Sequence, residues 1–169
     1  GYTYAAAKVS FPRAERELIR ALELNPQLSE AYASYGDLKW HYHWDWVGAE
    51  EAYKKAISIN SNYPEARRWY SHLLLVLGRH QEAHQQIDVG IELKPTSPIM
   101  YFGKAVIYLR ESNFDAAKEL GNRMVSLDSS YVNGLKILAQ SEFGLGDSDE
   151  SLRLANEGLH KFKNHSMYM

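Results

Sequence analysis

The segment AEEAYKKA, residues 49–56, decides the fold: its skeleton of a small residue, a large one four positions on and a small one three further returns along the chain. Ala14-x3-Leu18-x2-Ala21 precedes it and Ala83-x3-Ile87-x2-Gly90 follows it. The leading position recurs at Ala117 and Ser151, giving spacings of 35, 34, 34 and 34 residues. Positions i, i+4 and i+7 share one helix face, where alternating small and large residues let a second helix approach closely. A period near 34 is a helix-turn-helix unit copied along a line, each copy burying its apolar face against its neighbours. The expected fold is therefore all-α, a single array over 1–169. It is expected to hold about four helix pairs, at 29–63, 64–97, 98–131 and 132–169, behind a partial unit at 1–28.

Turn residues agree with this division. Gly78 and Gly146 stand where first helices end, because glycine enters the left-handed region without a Cβ penalty. Asp45, Asn113 and Asp147 stand where a side-chain oxygen would cap the next helix, and Asp147 with Glu150 predicts a capping box. Gly121 occupies a place where a large core residue is expected, which predicts a helix weaker by about 1 kcal/mol than with alanine. In the partial unit, FPRAERELIRALELNP (11–26) reads as a second helix, and GYTYAAAKV (1–9) is too short to be its full partner. An exposed apolar edge at Leu18 and Leu22 is expected there, and with it a homodimer or a contact with a preceding domain.

Composition narrows the function classes. The net charge of −2 provides no basic field for DNA or RNA, so no direct nucleic-acid binding is expected. The chain has no cysteine, which removes disulfides, thiolate nucleophiles and Cys-based zinc sites. No window is apolar enough to span a bilayer and no targeting segment is read, so the expected compartment is the cytoplasm, away from membranes.

Three features of the sequence bear on possible chemistry. His41, His43 and Asp45 lie in the aromatic run Trp40-His41-Tyr42-His43-Trp44-Asp45-Trp46, but i, i+2 spacing makes the rings diverge and no fourth ligand is evident. The run is expected to be a packed turn, with Trp44 and Trp46 buried and Asp45 capping. His80 and His84 share a face without an HExxH glutamate, and the serines and glycines form neither a nucleophile elbow nor a phosphate loop. No catalytic residue, metal or cofactor is expected.

Tyr32-x2-Tyr35-Gly36, Tyr101-x2-Lys104-Ala105-x2-Tyr108, the recurring Ala-x3-large pattern, and Pro26 and Pro95 together resemble the tetratricopeptide repeat. Ser61 and Ser129 replace the terminal proline, and Arg67 replaces the first aromatic. The resemblance implies a right-handed superhelical α-α solenoid that binds protein segments. A narrower resemblance runs from Glu30 to Arg79, through the HYHWDW turn and RRWYSHLLLVLGR. It is similar to arrays that follow winged-helix, kinase or cyclase modules in bacterial regulators, and implies a signalling or transcription-regulatory module of a longer protein.

In such arrays the first helix of each pair lines the concave face. That implies a peptide groove of Ala33, Asp37 and Trp40; Arg68, Trp69, His72 and Leu75; Phe102, Val106 and Leu109; and Lys136, Gln140 and Phe143. The expected ligand is a protein or peptide segment with hydrophobic anchors and an acidic group. Oligomerisation through the Leu18 and Leu22 edge is the alternative, and a small-molecule sensor the weaker one. The paired cations of a terminal-carboxylate clamp are missing.

Overall fold

A computed structural model describes residues 4–166, with side chains from 10 to 162. The described residues form nine α-helices. These are α1 (Tyr4–Leu24), α2 (Ser29–Leu38), α3 (Trp46–Ile59), α4 (Pro64–Val76), α5 (His80–Leu93), α6 (Pro98–Arg110), α7 (Phe114–Leu127), α8 (Val132–Leu145) and α9 (Ser148–Ser166). A π-helical turn at Lys39–His43 follows α2. The chain divides into two compact units, 1–86 and 87–169, the division falling inside α5.

Each pair turns at a residue in the left-handed region, and these residues lie 34 apart: Trp44 (φ 57°), Gly78 (φ 75°), Ser112 (φ 58°) and Gly146 (φ 93°). At the last three the following N–H reaches back five residues, Arg79 to Leu74, Asn113 to Tyr108 and Asp147 to Glu142, each at 2.9 Å. This is the Schellman arrangement, which satisfies carbonyls that the helix leaves open. At Trp44 the reach is six residues, Asp45 N to Lys39 O at 3.0 Å, across the π-helical turn. A π turn holds one extra residue in a helix. It accounts for the single spacing of 35 in a chain otherwise periodic at 34.

The connections between pairs also repeat. Leu28, Tyr63, Ser97 and Tyr131 donate to the carbonyls of Asn25, Asn60, Lys94 and Asp128, and the side chains of Asn25, Asn60 and Asp128 tighten three of these turns. Arg67 stands in place of an aromatic yet keeps its hydrogen bond: its guanidinium donates to Ser61 O, as Tyr101 Oη does to Pro95 O one repeat later. Asp45 and Asn113 cap α3 and α7 through Gly48 N and Ala116 N, and Asp147 accepts from Glu150 N. The capping box predicted at Asp147 and Glu150 is only half formed. The N–H of Asp147 is already taken by Glu142 O, and the Glu150 carboxylate pairs with Arg153.

Three other expectations change. α1 is continuous from Tyr4 and passes through Pro12, so the second helix read at 11–26 begins earlier, in the stretch read as its short partner; the Ala5–Ala7 run is the strongest helix former in its first turns. Side chains of 1–9 lie outside those described. Leu18 and Leu22 are half-buried, because they stand in the repeat where Tyr53 and Ile57 stand, the stripe turned to the following first helix, and α1 packs on α2. The exposed apolar residues of α1 are instead Ile19 and Leu24. Gly121 is no packing defect: a Cβ there would lie 2.8 Å from Leu138 Cγ, so the missing side chain admits Leu138.

The core follows from these approaches. Ala33, Ala49, Tyr53, Ala56, Ala66, Leu73 and Leu74 are fully buried in the first unit, and Met100, Ala105, Ile107, Ala117, Met124 and Ile137 in the second. Glu50 joins the first unit's helices by accepting from Tyr70, Arg79 and Lys54.

Two substitutions test this account by urea denaturation. Ser112→Gly relieves a left-handed serine and is expected to stabilise by about 1 kcal/mol. Gly121→Ala gains helix propensity but strikes Leu138, and is expected to destabilise by about 1–3 kcal/mol.

Candidate functional site

The second unit holds an open cavity of about 1000 Å³. α6 contributes Phe102, Val106 and Leu109, spaced along one face, with Arg110 at its end; α8 contributes Val132, Lys136, Ala139, Gln140 and Phe143; Phe114 opens α7. α9 supplies the remaining wall through Ser151, Leu154, Ala155, Gly158, Leu159 and Phe162. The i, i+4, i+7 stripe of α6 borders the cavity and also packs, half-buried, against the core of Ala105, Ala117, Met124 and Ile137. All six second-unit residues of the sequence-derived groove thus line one cavity.

The lining is largely apolar, and among the described residues its charged members are Arg110 and Lys136. Phe143 is 69% exposed, so its ring stands at the rim rather than filling the space. Ser151 is committed elsewhere: its hydroxyl donates to Ala139 O at 2.8 Å. The arrangement offers apolar anchoring with two cationic rim positions, and no nucleophile paired with a base.

In the first unit, Asp37, Trp40, Arg68, Trp69 and His72 lie on α2, its π extension and α4. Asp37 pairs with His41 at 3.3 Å, and the His41 ring lies 4.2 Å from that of Trp40. The Arg68 guanidinium sits 5.6 Å from the Trp69 ring centre. Trp69 packs against the buried cluster of Ala33, Ala56 and Ala66, and Ala33, read from sequence as a groove residue, is itself in that core.

The aromatic run holds partners that a ligand set would need free. His41 is taken by Asp37, His43 by Glu15 at 2.9 Å, and Asp45 by Lys39 at 2.8 Å and by Gly48 N. Among the described residues no group of three or more His, Cys, Asp or Glu side chains is placed to hold a metal ion. Trp44, expected to be buried, is 74% exposed, because the left-handed turn points it away from the helix pair; Trp46 is half-buried.

Sequence reading missed Arg110, Phe114, Val132, Ala139 and the whole α9 wall. The signal was present: Leu152, Ala155, Leu159 and Phe162 recur at i, i+3, i+7 and i+10, a continuous helical stripe.

Comparison with known proteins agrees with this geometry. A family profile described as Tetratricopeptide repeat matches residues 45–105. The chain is similar to human "Tetratricopeptide repeat protein 6", 28% identical over 86% of the chain and 25% of that protein. It is also similar to a DnaJ homolog subfamily C member 7 homolog of Schizosaccharomyces pombe, 22% identical over 83% of the chain and 33% of that protein. The chain therefore spans about a quarter to a third of the curated relatives it matches. Among solved structures, MamA superposes with a TM-score of 0.74 at 19% identity, over 96% of this chain and 94% of that one. Cut9 in the APC/C hetero-tetramer Cut9-Hcn1 gives 0.84 at 14% identity, over 94% of this chain and 31% of that one. Residues 45–105 thus match the tetratricopeptide repeat, and the repeated helix pairs have the solenoid fold of that class. The family is one of protein–protein interaction scaffolds. No helix among the described residues is long and apolar enough to cross a membrane.

His72 gives the first unit a pH signature. Burial, then the neighbouring Arg68 and His41 charges, push its imidazole down to about 4 from an ordinary 6.5, so the folded protein holds it neutral. The unfolded chain takes up the proton first, and stability present above pH 6.5 is lost as pH falls through about 4. Glu50 titrates lower: burial works to raise it, but hydrogen bonds from Lys54, Tyr70 and Arg79 prevail and hold it at about 2. His72→Phe is expected to flatten urea-measured stability between pH 6.5 and 4 by about 1–3 kcal/mol, without altering the acid loss below it.

Proposed function

We propose that the chain is a non-catalytic interaction region of a larger protein, and that the cavity of its second unit receives an apolar segment of a partner protein bearing an acidic group. The observation that carries this is the lining itself: apolar side chains from four helices, with Arg110 and Lys136 as its charges among the described residues. Desolvated apolar anchors supply most of the affinity at such sites, while rim charges orient the partner and reject wrong ones. Asp37, Trp40, Arg68, Trp69 and His72 are proposed as a further contact surface on the first unit. The regulatory setting, a signalling or transcription protein, is supported by the resemblance of residues 30–79 to arrays in such regulators.

Capture of partners from a lysate of the source organism tests this, comparing the chain with Lys136→Glu, Phe143→Asp. Both positions are exposed, so circular dichroism and the thermal midpoint should be unchanged. At least one partner is expected to be retained tenfold less by the variant. Equal capture by both folded proteins removes the cavity from the function.

A further inference from the structure

The Tyr53 hydroxyl and His72 Nε2, both in the first unit, are buried without a hydrogen-bond partner among the described residues. A buried polar atom left in that state costs free energy, and native folds keep few of them. Tyr53 of α3 is buried completely, and its ring lies across Gly36 of α2, where an added Cβ would sit 3.1 Å from Cζ, the carbon that bears the hydroxyl. The hydroxyl is therefore at α2, within range of the charge on Asp37, the residue after Gly36. Arg68 and His72 stand at i, i+4 on one face of α4. The Arg68 charge acts on Tyr53 and on His72 alike, so both atoms belong to one site between α2, α3 and α4.

The fields at its two ends are opposite. Burial is the main cause that raises the Tyr53 phenol above its ordinary range, and among the charges Asp37 outweighs Arg68, which leaves the hydroxyl in negative potential. At His72 burial again comes first, and the Arg68 and His41 charges then both act downward, which leaves the imidazole in positive potential. His41 belongs to the π-helical turn and is paired with Asp37. An ion of either sign is opposed at one end of such a site. A dipole is favoured at both.

We propose that this site takes the side-chain carboxamide of an asparagine or glutamine from a partner protein, its NH2 donating to the Tyr53 oxygen and its carbonyl accepting from His72 Nε2–H. This rests on the first-unit surface being a partner contact, and names the group recognised there. A carboxamide carries donors and an acceptor at one tip, as two separate polar atoms require. Being neutral, it loses less on leaving water than a carboxylate or an ammonium does. Asp37, Arg68 and His72 are themselves only half-buried, so the site borders solvent, and the stem of a side chain lets the tip pass between them to the covered hydroxyl.

The test uses the full chain, with the blocked tripeptide acetyl-Leu-Gln-Leu-amide as probe and its glutamate counterpart as the charged isostere. Binding at pH 7 is followed by the imidazole nitrogen shifts of His72. Saturable binding of the glutamine peptide that moves His72 Nε2 is expected, with the glutamate peptide about tenfold weaker. Tyr53→Phe removes only the oxygen: its urea midpoint is expected to be unchanged or higher, and its affinity for the glutamine peptide about tenfold lower, the loss of one buried hydrogen bond. A lower urea midpoint in Tyr53→Phe overturns the proposal, because the hydroxyl is then bonded within the fold or to a bound water. Equal or tighter binding of the glutamate peptide overturns it in favour of an anion site. Indifference of the glutamine peptide to Tyr53→Phe, or no saturable binding up to tens of millimolar peptide, overturns it as well. Lysate capture with Asp37→Arg decides the surface separately, since partners lost in that variant keep the surface as a contact even where the carboxamide fails.

Discussion

Everything in each unit depends on how closely a second helix can approach the first helix that follows it. At the α7–α8 contact this is set by two glycines facing two bulky partners, Gly121 under Leu138 and Gly134 under Val125. Close-packed interiors have no spare volume, so the pairing is a steric constraint rather than a preference. Once the small and large residues have been exchanged across the contact, the helix axes and register are fixed. In the first unit the equivalent positions hold Tyr53 and Tyr70, with ring centroids 6.1 Å apart, and there it is Gly36 that admits the Tyr53 ring, a Cβ on it lying 2.8 Å away.

The turns enforce that register from outside the core. Left-handed residues at 34-residue intervals end each first helix at an equivalent point, and an oxygen-bearing side chain next to three of them starts the second. Only two of the four are glycines, so Trp44 and Ser112 hold a conformation that a side chain opposes by about 1–2 kcal/mol. The surrounding hydrogen bonds over-determine the geometry and keep it. In the first unit the chain has one residue too many for the standard turn, and the π-helical segment at Lys39–His43 absorbs it without disturbing α3. That local widening also carries Trp44 out to solvent.

The helix pairs, their boundaries to within a few residues and three of the caps were legible in the sequence because period, small-residue spacing and turn chemistry are local signals. The π turn was not: the sequence showed a spacing of 35, but a single extra residue carries no mark of where it will be accommodated. Gly121 was read only for its helix propensity because sequence alone does not reveal that Leu138 packs against it. Leu18 and Leu22 were read as an exposed edge because their apolar stripe is visible in the sequence, whereas the packing of α2 on α1, which leaves them half-buried, is not. At the cavity, the stripes of α6 and α8 were legible from their i, i+4, i+7 spacing, whereas the α9 wall was not, because the resemblance placed the groove on first helices alone.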